Sequence, residues 1–367
     1  MSGGALIELV AKGVQDVHLT GQPEVSFFRQ TFKRHTNFAM TNTRLVPIGN
    51  GSEHVIKIPN KGDLLGYVWV DLGTTATVGS AAVAANTTSP ASFELWIGGQ
   101  MIERQDAFYM VQLWQKFLLD SGAKAMAMVT GDNDDSIRAN LLASKWLPLH
   151  FFFCDSYYLP LLALQYAEVE IRIQYAASTN VSDFKYYANY IVLDTDERAI
   201  FVDRDLDILI EQVQKIAADG STTAPRFDLN LLNHPVKCLL WGQPDAGSFS
   251  TNNVQIYLNG TELFESVMPD KFFTQVQGYY HSEFGSELLK GESGTAGGAG
   301  GATLKMYSFA LKANRHQPCG TCNFSRLDNA SLTIGTAVGT PTTFNLYAVN
   351  YNILRIRKGL AGVAYSN

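Results

Sequence analysis

The sequence is short of charge, of cysteine and of any basic excess, and each shortage removes a class of function. Charged residues make up 17% of the 367, and acidic residues outnumber basic ones 34 to 28, for a net charge of −6. A protein that wraps nucleic acid carries a basic surface to neutralise phosphates. This chain does not, so sequence-specific or packaging contact with a genome is not expected of it. The basic clusters Lys33-Arg34-His35 and Arg355, Arg357, Lys358 are short and read equally well as solvated strand ends. Four cysteines, Cys154, Cys238, Cys319 and Cys322, are too few to frame so long a chain with disulfides. No run reaches the roughly 20 apolar residues that cross a bilayer. The longest, around Trp146–Tyr158 and Leu159–Ala167, are broken by Pro148, His150, Asp155 and Pro160. The opening MSGGALIELVAKG lacks the basic start and long apolar core of a secretory signal. Synthesis and folding in the cytosol are therefore expected, with sequons such as Asn86, Asn259 and Asn323 unread by secretory machinery.

The motifs of chemistry are also missing. The Gly-rich stretch 291–303, GESGTAGGAGGAT, holds no GxxxxGK[ST] and reads as an exposed loop, as does the Ala/Thr/Ser-rich stretch Thr75–Pro90. Cys319-Gly320-Thr321-Cys322 has the spacing of a redox or zinc site, but zinc needs two more ligands and no second CxxC exists. His316 is near and Cys238 distant in sequence, and a structural loop is the expectation. Gly131-Asp132-Asn133-Asp134-Asp135 lacks EF-hand spacing and reads as a solvated acidic loop. His150 and Cys154 flank an apolar run, where packing is the default. No nucleophile elbow or triad order is present. No catalytic, cofactor-binding or metal residue is assigned, and the chain is not expected to be an enzyme.

What the sequence does contain is aromatic and β-branched residues between glycines: 21 Phe, 16 Tyr and 31 Gly. That composition favours an all-β architecture. His54–Ile58 alternates, Tyr67–Leu72 and Phe93–Ile97 are apolar runs closed by glycine, and Ala167–Tyr175 has strict period 2. One helix is expected over Gln105–Leu119, on the spacing of Phe108, Val111, Trp114 and Leu118. Three segments recur at one offset, 161 positions (260 − 99). Leu95–Gly99 matches Ile256–Gly260, Val169–Ile173 matches Ala330–Ile334, and Asn189–Leu193 matches Asn350–Leu354. Three matches in one order suggest two copies of one domain. The expected division is an arm over 1–26, a first domain over 27–201, a seam over 202–216 and a second domain over 217–367. A copy of this size suits an eight-stranded double-Greek-key sandwich.

Long motifs then point to a family. Leu6–Met40 carries Gln15-Asp16, Leu19-Thr20-Gly21, Pro23, Phe27-Phe28 and Arg34-His35-Thr36-Asn37-Phe38. Together with Leu159–Glu170, Leu193–Arg198, Ser308–Asn329 and Phe344–Asn367, it resembles the major capsid proteins of nucleocytoplasmic large DNA viruses, from end to end. The resemblance implies two tandem jelly rolls with short helices in their loops, and a structural shell subunit of the virion. It also implies a homotrimer of pseudo-hexagonal outline in contact with neighbouring capsomers and with minor capsid proteins beneath. An internal membrane would lie near, assembly would take place in the host cytoplasm, and no cofactor would be needed. The alternatives are a carbohydrate-binding jelly roll and a minor capsid component. Seven scattered His argue against a cupin metal site, and the repeat argues against a single-sandwich vertex protein.

Overall fold

The computed structural model describes residues 3–49, 53–71, 92–106, 108–119, 146–155, 157–174, 184–202, 204–217, 226–242, 250–251, 254–265, 268–282, 304–334, 337–338 and 345–365. The acidic loop 131–135, the loops 75–90 and 291–303, and Asn86 lie outside them. The chain divides into two units, Met1–Asn37 and Phe38–Asn367. The first holds two short helices, Gly3–Glu8 and Val17–Thr20. Among its described side chains, Phe27 and Phe28 are 95% and 99% exposed. This unit includes the expected arm, residues 1–26, together with residues 27–37, where Phe32 is also exposed.

The second unit begins with β1 (Phe38–Leu45), β2 (Glu53–Lys57), β3 (Leu64–Asp71), β4 (Ser92–Ile97), β5 (Gln100–Asp106), β6 (Trp146–Pro148), β7 (Leu159–Pro160), β8 (Val169–Gln174) and β9 (Lys185–Leu193). Beyond the helix Thr195–Val202 come β10 (Leu206–Ala217), β11 (Arg226–Asp228), β12 (Pro235–Gly242), β13 (Ser250–Thr251), β14 (Val254–Leu258), β15 (Thr261–Glu262), β16 (Lys305–Ser308), β17 (Cys322–Asn323), β18 (Ala330–Ile334), β19 (Ala337–Val338), β20 (Asn345–Arg357) and β21 (Leu360–Val363). The first set forms sheets β1-β9-β3-β6 and β2-β8-β4-β5, with β7 added on β3. The second forms β10-β20-β12-β16 and β11-β18-β14-β15, with β17 added on β12. Strand for strand the two orders coincide, and the chain is a double jelly roll.

Local chemistry explains the shared parts. β4–β5 turns at Gly98-Gly99 (φ +59° and +80°) and β14–β15 at Asn259-Gly260 (φ +50° and +78°). Two-residue turns with both φ positive match the right-handed twist of the strands, and Gly and Asn adopt them at least cost. β8 alternates as expected, with Val169, Ile171 and Ile173 buried. Both sandwiches carry a one-residue irregularity on the strand beside the long central one, between Leu65 and Val68 and between Val236 and Cys238.

Three expectations are corrected. Residues 206–217, placed largely in the seam, form β10, which pairs with β20 over its whole length. The helix does not start at Gln105, which belongs to β5. It opens with a π turn, Tyr109–Leu113, and continues as α over Trp114–Phe117. The wider π turn breaks the 3.6 period, and burial on several sides (Phe108, Tyr109, Met110, Leu113, Phe117) erases a single apolar stripe. The first two repeat matches hold residue for residue, Ile97 facing Val169 as Leu258 faces Ala330. The third reaches equivalent strands one position out. Tyr186 faces Leu45 and Val70, while Leu346 faces Ile216 and Trp241, a separation of 160 (346 − 186). One residue fewer joins β18 to β20 than β8 to β9, and in a strand one residue changes the face.

Trp241 is fully buried in the second core, 5.4 Å from the Phe273 ring. Trp241→Ala is expected to cost about 3–5 kcal/mol in urea unfolding, and Trp241→Phe distinctly less.

Candidate assembly interface

The apolar core of the first sandwich does not end at that sandwich. Ile210, Cys238, Leu240, Met306, Tyr347, Val349, Leu354 and Ile356, all from the second half, belong to the same cluster as Val70, Leu95 and Tyr186. Leu239, Trp241, Leu346 and Ala348, on the alternate positions of β12 and β20, fill the second core. The sheet β10-β20-β12-β16 is therefore buried on both faces, which is why β12 reads Val-Lys-Cys-Leu-Leu-Trp with no polar alternation. From the first sandwich, Phe108 and Tyr109 meet the Tyr347 ring at 6.1 and 5.6 Å.

Polar ties cross the same joint. Lys215 Nζ and the Tyr347 hydroxyl both donate to Asp106 Oδ2, at 2.5 and 3.1 Å. Gln212 Nε2 donates to the Ile102 carbonyl at 2.5 Å, and Gln212 Oε1 accepts from Asn352 Nδ2 at 2.9 Å. Ser282 Oγ donates to the Phe117 carbonyl at 2.7 Å. Between these ties lies a pocket of about 50 Å³ lined by residues of both halves, among them Glu103, Gln105, His150, Glu211, Lys237 and Asn314. Lys237, nearly fully buried, donates to Glu211 at 2.5 Å. Gln105 Nε2 donates to Glu103 Oε1 (2.6 Å) and to the His150 carbonyl (2.8 Å), which fixes the orientation of its amide. Glu103 Oε2, Gln105 Oε1, His150 Nε2 and Asn314 Oδ1 have no hydrogen-bond partner among the described residues.

The electrostatics follow from that setting. Burial, reinforced by the charge of Glu211 and opposed by the bond from Gln105, pushes Glu103 up to about 8. Burial of the His150 ring, stacked on Trp114 at 3.5 Å, lowers it to about 3. A carboxyl held neutral escapes most of the cost of burying a charge.

The second feature is an open face. On the outer side of β1-β9-β3-β6, Trp69 stacks on Tyr187 at 4.4 Å and meets Trp146 edge-on at 6.3 Å, with Tyr67 44% exposed beside them. Aromatic side chains on the outside of a sheet are the composition of an interface core.

The residues singled out by motif have structural roles. Cys319 Sγ accepts from the Lys312 amide (3.3 Å) and donates to its carbonyl (3.2 Å), closing a turn. There Gly320 has φ +136°, and a Cβ would sit 2.8 Å from the Phe309 carbonyl oxygen. Cys322 opens β17 opposite Val236, and burial raises its pKa; burial takes Cys238 up to about 12. Among the described residues no group of three His, Cys, Asp or Glu is placed to hold a metal. Arg355 and Arg357 face Asp207 and Asp205 across the β10–β20 ladder at 3.6 and 3.7 Å, so that cluster is largely neutralised. Asn259 and Asn323 accept backbone N–H bonds in turns. Sequence reasoning missed Glu103, Lys237 and the Trp69–Tyr187 face. Lys237 within an otherwise apolar strand was the one available signal.

Between about pH 4.5 and 8 the folded chain keeps a proton on Glu103 that the unfolded chain has released, so stability falls as pH rises through that window. His150 acts in the opposite sense: the unfolded ring takes a proton below 6.5, the folded ring only near 3, so stability falls as pH drops across that range. Together the two groups give a plateau near pH 4.5–6.5. Glu103→Gln is expected to remove the decline between about pH 6.5 and 8, worth about 2 kcal/mol, as read from the difference in unfolding free energy between the two proteins.

Two family models match. Residues 26–200 match the major capsid protein N-terminus, and residues 244–362 the large eukaryotic DNA virus major capsid protein. The chain is 34% identical to a major capsid protein of Pyramimonas orientalis virus and 30% identical to one of Paramecium bursaria Chlorella virus 1, each match covering all of both chains. In fold it is similar to the subunit in a quasi-atomic model of the PBCV-1 virus capsid, with TM-score 0.71 and 25% identity over 93% of this chain and 100% of that one. The chain belongs to the major capsid protein family of large eukaryotic DNA viruses, as a structural subunit of the virion shell and not an enzyme.

Proposed function

We propose that this subunit forms homotrimeric capsomers of pseudo-hexagonal outline, packed beside like capsomers over an icosahedral shell. The observation that carries this reading is the coincidence of the two strand orders. Two like sandwiches in each of three subunits give six similar corners, the shape that tiles a hexagonal lattice. We further propose that the sandwiches are copies of one ancestral domain, divided near the helix Thr195–Val202. Many weak contacts between capsomers suffice once each is repeated over a shell. The exposed apolar residues of the arm suit a tie to minor capsid proteins beneath the shell, close to an internal membrane. Assembly in the host cytoplasm fits the reduced state of all four cysteines. No sequence-specific nucleic acid contact and no cofactor enter this reading.

Light scattering of purified protein should give the mass of three chains, with an interface above the roughly 2,000 Å² of obligate oligomers. A monomer stable at micromolar concentration at every salt would sink the capsomer. Deleting residues 1–26 should leave the trimer intact and impair shell assembly. Cys322→Ser should shift unfolding by less than about 1 kcal/mol. Mass spectrometry of the native protein should find no stoichiometric zinc, and zinc that is lost in the variant would overturn the structural role of the CxxC.

A further inference from the structure

We infer that the pocket at the joint binds one monovalent alkali cation, held between Glu103 and Gln105 of the first sandwich and Asn314 of the second. The inference is independent of the capsomer, since every group it uses belongs to one chain.

Alternation places the first two groups. Glu103 and Gln105 lie two apart on β5, so both side chains leave the same face of the strand. Both are buried, at 5% and 2% exposed. Arg104 between them leaves the other face, where it meets Glu94 at 3.6 Å. The strand's own cation is thereby committed away from the pocket. Gln105 Nε2 is spent on Glu103 Oε1 and the His150 carbonyl, so the amide oxygen is the atom left over. Glu103 Oε2, Gln105 Oε1 and Asn314 Oδ1 are then three buried oxygens on one pocket without a hydrogen-bond partner among the described residues. Buried oxygens are normally satisfied. A carboxylate with two amide oxygens is the donor set of a hard cation.

Size and charge select the ion. The pocket holds about 50 Å³, far below the roughly 300–1,000 Å³ of a small-molecule site. A water takes roughly 10–15 Å³ of such space, so an ion fits together with waters that complete its shell. Lys237 donates to Glu211 at 2.5 Å, and those two charges cancel. Ionised Glu103 leaves one negative charge. His150 and Tyr109 stay neutral, burial lowering the first and raising the second. His316, 3.5 Å from Glu211, adds positive charge only when protonated. A divalent ion would leave the site positive beside the Lys237 ammonium, whereas a monovalent one balances it.

Cation and proton compete for the same carboxyl. Glu103 keeps its proton up to about pH 8. Binding at neutral pH therefore exchanges the two: the carboxyl O–H bond breaks, the proton goes to solvent and the ion takes the carboxylate. Apparent affinity should rise about tenfold per pH unit below 8 and level off above it. The fall of stability with pH worked out above belongs to the cation-free chain, and saturating cation should flatten it. With ligands from β5 on one side and from the loop between β16 and β17 on the other, the ion ties the sandwiches where the polar set of the joint is incomplete.

The test uses the full chain in tetramethylammonium chloride, whose cation is too large for the pocket, titrated with potassium or sodium chloride at constant ionic strength. At pH 8, salt at ten times the dissociation constant should raise the folded-to-unfolded ratio about elevenfold. Calorimetric titration at pH 7 in two buffers of different ionisation enthalpy should read about one proton released per ion. Glu103→Gln exchanges a neutral carboxyl for a neutral amide, and should fold and lose both effects. Asn314→Leu should weaken the ion while keeping the pH dependence of Glu103. Wild-type crystals soaked in thallium(I), an anomalous scatterer that substitutes for potassium, should show a peak beside Glu103 Oε2, a reading that needs no variant to fold. Equal stability in all three salts would mean a water-filled pocket only and overturn the site. So would the absence of the thallium peak, or a stabilisation that survives in Glu103→Gln. Each of these failures leaves the capsomer, and the proton on Glu103, standing.

Discussion

The sheet β10-β20-β12-β16 holds this molecule together, because it is wanted on both sides. One face closes the second core with Leu239, Trp241 and Leu346; the other carries Leu240, Met306 and Tyr347 into the first. Each of these side chains is worth about 1.5–3 kcal/mol on burial, as an upper figure. A shared wall also couples the halves: neither sandwich can leave the other without exposing a sheet that has no polar face. The unit Phe38–Asn367 is accordingly one body in its contacts although it holds two jelly rolls.

A wall buried on both sides must still satisfy its polar groups, and the joint does this unevenly. Asp106 takes two donors from the second half, and Gln212 links the Ile102 carbonyl to Asn352. Lys237 finds Glu211. Among the described residues no cation pairs with Glu103, and burial favours its neutral form. Apolar area thus supplies the adhesion, while the polar set fixes how the two sandwiches sit against each other. A half-satisfied network is sensitive to any change of protonation, and Glu103 is where that sensitivity is concentrated.

The doubling of the fold gives the two sandwiches different solvent exposure for the same design. The second sandwich finds a cover for its outer sheet within the chain, whereas among the described residues of the first the Trp69–Tyr187 rung is partly exposed. A shell subunit needs such an imbalance. A chain that satisfied all its apolar faces alone would have little reason to assemble, and one that left them all open would aggregate.

The sequence by itself determined the β class, the strand alternation of β8, the glycine turns at Gly99 and Gly260, the repeat, and through long motifs the family. These are local or linear properties: a period of two, a positive φ, a run of residues in order. The helix start, the one-residue slip between β9 and β20, the strand at 206–217 and the joint were decided only by the tertiary structure. A strand that alternates reveals its buried face, whereas β12, apolar on both sides, cannot say in sequence what lies against either. Glu103 likewise looks like an ordinary surface charge until folding brings residues more than a hundred positions apart, such as Glu103 and Glu211, to one pocket, and Lys237, marked only by its apolar strand, does not show its partner in sequence. Their protonation and partners depend on desolvation and distance, and neither is written in the order of residues.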